Sequence, residues 1–146
     1  MTIEILLVED SPGDVRLTRE AFQASELPIQ LHVAVDGLDA MAFLNHDGEA
    51  YAHVPRPDLI LLDLNMPKMD GREVLARVKS SENLKTIPVV VLTTSQDEAD
   101  IFKSYQLQAN CYLSKPVLLD AFEEMVQSVN DFWLTKARLP THKLLA

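Results

Sequence analysis

Five short apolar runs, each followed by a stretch of helical periodicity, constrain this chain more than any other feature. The runs are IEILLV (3–8), IQLHVA (29–34), LILL (59–62), PVVVL (88–92) and CYL (111–113). They are leucine-rich and β-branched with little polar alternation, which suits strands buried on both faces. Helical patterns lie near 12–24, 37–45, 71–80 and 96–107. A fifth, 117–134, sets Leu118, Phe122, Met125, Val129 and Trp133 three or four apart on one apolar face. Five alternating units of this kind predict an α/β fold: a doubly wound five-stranded parallel sheet with helices on both faces. The helix starts are marked in the expected way. Ser11, Pro12 and Asp14 supply an N-cap, a proline at the first helical position and an acid in the first turn. Ser95 with Glu98 reads as a capping box, and Asp70 with Glu73 as its Asp-capped equivalent. Two segments fall outside this plan: the loop NHDGEAYAHVPRP (45–57) and the tail LTKARLPTHKLLA (134–146).

The bulk properties narrow the function. A chain of 146 residues with 47% hydrophobic content suits one domain with a real core. A net charge of −9 argues against nucleic-acid and anionic-membrane surfaces, which are bound through clustered Lys and Arg. The one cysteine, Cys111, offers neither an internal disulfide nor a metal-type Cys spacing, which suits a reducing cytoplasm. MTIEILLVED lacks the basic flank of a signal peptide, and no stretch approaches the ~20 apolar residues of a membrane span.

In an open parallel sheet, chemistry gathers beyond the carboxyl ends of the strands. Those ends carry Glu9 and Asp10, then Asp63, Thr93 and Lys115. Three carboxylates, a hydroxyl and an ammonium would share one crevice. Each alone has an ordinary reading: a turn aspartate, a strand threonine, a solvated lysine. The joint pattern does not. Two carboxylates ~4 Å apart repel by roughly 4 kcal/mol at an effective dielectric of 20, so the cluster calls for a cation. Hard oxygen donors without His or Cys select Mg²⁺ or Mn²⁺. Asp63, on the central strand, is then the candidate nucleophile, a carboxylate able to accept a phosphoryl group while the metal neutralises developing charge. Thr93 and Lys115 would contact the phosphoryl oxygens. The four histidines, His32, His46, His53 and His142, have no ligand-like spacing and read as structural or surface residues.

These motifs give the chain a family likeness. The acidic pair of LLVED, the segment LLDLNMPKMDG, the threonine of VVVLTTS and the Lys-Pro of CYLSKP resemble a response-regulator receiver domain of two-component phosphorelays, over about residues 3 to 130. The gaps agree too, with thirty residues from Asp63 to Thr93 and twenty-two more to Lys115. The resemblance implies a flavodoxin-like sheet in the order 2-1-3-4-5, with Asp63 as the site phosphorylated by a histidine kinase. It implies Mg²⁺ on Glu9, Asp10, Asp63 and the main-chain carbonyl of Asn65. It also implies Thr93 and Lys115 on the phosphoryl group, Tyr112 as the switching aromatic and a cis bond between Lys115 and Pro116. A narrower likeness is to stand-alone response regulators paired with cyanobacterial phytochrome kinases. It rests on the long loop before the third strand, the segment RPDLILLDLNMPKMDGREVLARVK, the double threonine and DFWL before the tail. Thr94 departs from the Ala that follows the switch threonine in many receivers.

The expected output is a phosphorylation-dependent protein-binding surface on the fourth helix, fifth strand and fifth helix, read by a downstream protein. Residues 1–130 form the receiver and 131–146 a C-terminal extension. Roughly twenty residues follow the last strong receiver feature, fewer than the ~50 of an independent domain, so no fused DNA-binding unit is expected. The extension is apolar and basic. Phe132, Trp133 and Leu134, then Leu139, Leu144 and Leu145, accompany Lys136, Arg138 and Lys143 against Asp131, a net of +2 on a body of −11. That combination predicts a homodimer with Phe132, Trp133 and Leu134 in the interface. The competing reading is an aspartyl-phosphate phosphohydrolase of haloacid-dehalogenase type. That group carries its nucleophile on an early strand and its acidic pair late, the reverse of the order here.

Overall fold

The apolar runs become strands because nearly every side chain in them can be buried. The computed structural model describes residues 2–94, 97–116 and 118–140. Its strands are β1 (Ile3–Val8), β2 (Ile29–Ala34), β3 (Leu59–Leu62), β4 (Val89–Thr93) and β5 (Cys111–Ser114). They pair in parallel in the order β2-β1-β3-β4-β5, the expected one. The helices are α1 (Pro12–Gln23), α2 (Gly37–Leu44), α3 (Gly71–Ser80), α4 (Glu98–Gln106) and α5 (Leu119–Asp131).

Strand side chains alternate between two cores, one on each face of the sheet. Leu6, Val8, Ile60, Leu62, Val89 and Val91 pack with Phe43 of α2 and with Val74, Leu75 and Val78 of α3. Ile5, Leu7, Leu59, Leu61 and Val90 pack with Phe22 of α1 and with Phe122, Val126 and Val129 of α5. A period of two is therefore present within runs that read as uniformly apolar, because both faces are covered.

Helix caps follow the sequence in part. Ser11 caps α1 by accepting from the Asp14 backbone N–H at 3.3 Å, with Pro12 inside the first turn. Asp70 caps α3 by accepting from Arg72 N–H at 2.7 Å. Glu73 does not complete a capping box, because its carboxylate takes Arg77 at 3.2 Å one turn ahead. The cap of α4 is Asp97, which accepts from Ala99 N–H at 2.8 Å. The expected Ser95 cap lies outside the described residues.

The last helix departs most from its periodicity. Leu118, expected on the buried stripe, precedes α5 and is 73% exposed. After Asp131 the chain widens into a π-helical segment, Phe132–Lys136. Leu134 is thereby buried in the core between the sheet and helices α1 and α5. It serves the chain's own interior rather than an interface, and Phe132 is left 54% exposed. Leu144 and Leu145 lie outside the described residues. The long loop at 45–57 is a folded flap on α2. Tyr51 donates to Asp39 and sets its ring edge-on to Phe43 at 5.4 Å, while Arg56 donates to Asn83 O and to Thr86 Oγ1 at 3.0 Å.

Candidate functional site

The parallel ladder runs one residue past β1, β3 and β5 and so fixes the site's backbone. Glu9 N–H donates to Ala34 O at 3.0 Å, Asp63 N–H to Val8 O at 3.0 Å and Lys115 N–H to Thr93 O at 2.7 Å. The residues that end β1, β3 and β5 therefore stand on one edge with their main chains held. Gly71 closes that edge. A Cβ there would lie 2.2 Å from Asp63 O and 2.7 Å from Leu64 Cα, so only glycine lets α3 begin against the backbone of Asp63. Its N–H donates to Leu64 O at 3.0 Å, which draws the intervening turn closed. Lys68 takes a positive φ of 62° in that turn, and its ammonium lies 3.5 Å from the buried cap Asp36.

Side chains converge as expected. Carboxylate oxygens of Glu9, Asp10 and Asp63 lie within 4.8 Å of one another. Glu9 and Asp63 are buried while Asp10 faces solvent. Ser11 N–H donates to Glu9 Oε1 at 3.1 Å, and Asn65 N–H approaches Asp63 Oδ1 at 3.4 Å. The buried Lys115 ammonium donates to Glu9 Oε2 and, at 2.9 Å, to Asp14 Oδ2, with Asp63 Oδ2 at 3.5 Å. Thr93 is fully buried, and its hydroxyl has no hydrogen-bond partner among the described residues. Tyr112 on β5 is half-buried against the core of α2 and α3.

Two expectations change. The Lys115–Pro116 bond is trans, as no described peptide bond is cis. Lysine's four-carbon stem and the Lys115–Thr93 backbone bond bring the ammonium into the crevice without a reversed peptide, and trans is the lower-energy isomer by about 0.5–1 kcal/mol. Asp14 is also more than a first-turn acid, since it holds the site's lysine. The sequence carries no local signal for this pairing, because the lysine lies 101 residues further on.

Burial sets the electrostatics. Desolvation pushes Glu9 up to about 7 against the pull of its Lys115 hydrogen bond, and the charge of Asp63 adds to the rise. Burial alone would lower the Lys115 ammonium, but hydrogen bonds to Glu9 and Asp14 and the charges of Asp63 and Glu9 outweigh it, so it lies above its ordinary value. The donor set fits a divalent cation: three carboxylates, no nitrogen or sulfur, and an exposed side at Asp10 where a metal keeps its waters.

The comparisons with known proteins agree. The sequence profile of the response regulator receiver domain matches residues 5–127. Response regulator Rcp1 of Synechocystis sp. is 54% identical over 136 residues, spanning 93% of this chain and 92% of that protein. The crystal structure of the Mn²⁺-bound form of Rcp1 has a TM-score of 0.92 at 53% identity, covering 95% of this chain and 99% of that one. The crystal structure of the phosphorylated cyanobacterial phytochrome response regulator RcpA has a TM-score of 0.94 at 51% identity, covering 97% and 100%.

Proposed function

Because this chain belongs to the response regulator receiver domain family, we propose that it is a stand-alone response regulator whose Asp63 is phosphorylated by a histidine kinase of the phytochrome type. Receivers are phosphoacceptors rather than classical enzymes. An oxygen of the Asp63 carboxylate attacks the phosphorus of the kinase's phosphohistidine. The O–P bond forms as the P–N bond breaks, and the electron pair stays on the imidazole nitrogen. Glu9, Asp10, Asp63 and the main-chain carbonyl of Asn65 would hold Mg²⁺, which supplies neutralisation of charge on the transferring group. Thr93 donates its hydroxyl and Lys115 its ammonium to phosphoryl oxygens. Tyr112 follows Thr93 as the switching aromatic. The same residues would accept phosphate from a small acyl-phosphate donor and later release it to water.

One observation carries this reading. A buried hydroxyl without a partner costs about 1–3 kcal/mol, and Thr93 keeps one at the strand-end crevice that holds Asp63 and Lys115. A phosphoryl group on Asp63 would satisfy it. The phosphorylated form of RcpA and the Mn²⁺-bound form of Rcp1 support the same chemistry.

Output goes through protein contact. Phe102 and Tyr105 on α4 and Leu118 and Leu119 at the start of α5 are exposed apolar groups on the expected face. The receiver, residues 1–130, works in the cytoplasm, and its extension, 131–146, joins two copies through Phe132 and Trp133. No described helix is long and apolar enough to cross a membrane. Acetyl phosphate with Mg²⁺ tests the reading: intact mass should gain one phosphoryl group, and a chelator should prevent it. Steady turnover of p-nitrophenyl phosphate without a stable phosphoprotein would favour the phosphohydrolase instead.

A further inference from the structure

We propose that Asp14 is a positioning residue that holds the Lys115 ammonium on the α1 side of the crevice until a phosphoryl group on Asp63 competes for it. This rests on the reading of Asp63 as phosphoacceptor and Lys115 as a phosphoryl contact. An ammonium has three N–H donors. Two are taken by Glu9 Oε2 and Asp14 Oδ2, while Asp63 Oδ2 at 3.5 Å is beyond a good hydrogen bond. Asp14 is itself anchored. Its N–H donates to Ser11 Oγ and its carbonyl accepts from Thr18 Oγ1 at 2.7 Å, so the carboxylate is fixed to the first turn of α1.

The two lysine partners differ in what their loss would cost. The Glu9 side chain is 3% exposed, so loss of the ammonium would strand a buried carboxylate, whereas that of Asp14 is 30% exposed and is readily rehydrated. When phosphoryl oxygens need the ammonium, Asp14 is therefore the partner released and Glu9 the one retained. The lysine has two positions, one set by Asp14 and the other by the phosphoryl group. The exchange also links Asp63 to the N-terminal turn of α1, 101 residues from Lys115 in sequence.

Beryllofluoride, which mimics an acyl phosphate on Asp63, tests this by amide NMR titration of the full chain with Mg²⁺. Asp14→Asn no longer has a bond to give up and should bind beryllofluoride about fivefold more tightly, the equivalent of about 1 kcal/mol for a partly exposed pair. Asp14→Glu, which keeps the carboxylate, should stay near wild type. In a Lys115→Gln background Asp14→Asn should change affinity less than about twofold, which separates loss of this bond from loss of one charge. Should Asp14→Asn fold poorly, Asp14→Ser carries the same comparison. Unchanged or weaker binding would overturn the proposal, and so would an equal gain in the Lys115→Gln background. A wild type that does not bind beryllofluoride at Asp63 would instead overturn the phosphoacceptor reading on which it rests.

Discussion

Replacing Lys115 by glutamine leaves Glu9, Asp14 and Asp63 without their shared cation, and the structure sets the size of the effect. The lysine side chain is 4% exposed and the Glu9 side chain 3%, so the pair belongs to the buried class. Removing one partner of such a pair costs about 3–5 kcal/mol. The lower end applies here, because Glu9 can take up a proton and Asp14 is partly solvated. Wild-type Glu9 already titrates at about 7. Without the lysine its pKa moves higher, so above pH 7 the folded variant keeps a proton that the folded wild type has released. The stability gap should therefore be about 3 kcal/mol near pH 7 and should widen by up to about 1.4 kcal/mol per pH unit above it. Urea denaturation with a chelator, at pH 7 and pH 8, measures both quantities. Mg²⁺ should stabilise the native state by mass action, about 2.7 kcal/mol at one hundred times its Kd. A variant within about 1 kcal/mol of wild type in chelator would mean that Lys115 is not the counter-ion of the buried Glu9, as would a gap that narrows with rising pH.

Three further outcomes follow from the same geometry. Gly71→Ala forces a Cβ onto the main chain of Asp63 and should cost about 3 kcal/mol together with most phosphorylation, while Gly13→Ala, with nothing nearer than 3.9 Å, should be neutral or stabilising by thermal denaturation. Glu9 is an acid raised from 4.5 to about 7, so the folded state binds its proton more tightly than the unfolded state and metal-free stability should fall as pH rises through that window. Glu9→Gln should remove that decline in chelator-treated samples. Light scattering at ~100 µM should find a dimer that Phe132→Glu weakens, whereas Leu134→Ala should lower stability by about 2–5 kcal/mol because that side chain is in the core.

The strands and the crevice were legible because burial on both faces leaves a local mark. LILL ends at Asp63, and VVVLT ends at Thr93, where the apolar demand stops and the chemistry begins. The carboxylate cluster was equally open to reading, since the Glu9-Asp10 pair and Asp63 come straight after β1 and β3. Long-range pairing leaves no such mark. Nothing near Asp14 in the sequence signals a lysine 101 residues away, and its role as a helix-start acid was sufficient explanation. The stripe of α5 holds at Trp133, which packs against the core, but the inward place of Leu134 went unread for a related reason. The three- and four-residue spacing continues through Trp133, but a π-helical turn changes the angular step and sends Leu134 inward. The cis bond was carried by family likeness alone, with no local physical signal behind it, and the structure has the trans bond.

Phosphorylation should fall on Asp63 and on no other carboxylate. Borohydride reduces an aspartyl phosphate to homoserine and leaves free carboxylates intact, so it records the modified position directly. Wild-type protein treated with acetyl phosphate and Mg²⁺, then borohydride, and mapped by peptide mass spectrometry should show the change at Asp63 alone, with none anywhere in Asp63→Asn. Reduction at Asp10, Asp14 or another carboxylate, or labelling that persists in Asp63→Asn, would rule out Asp63 as the phosphoacceptor.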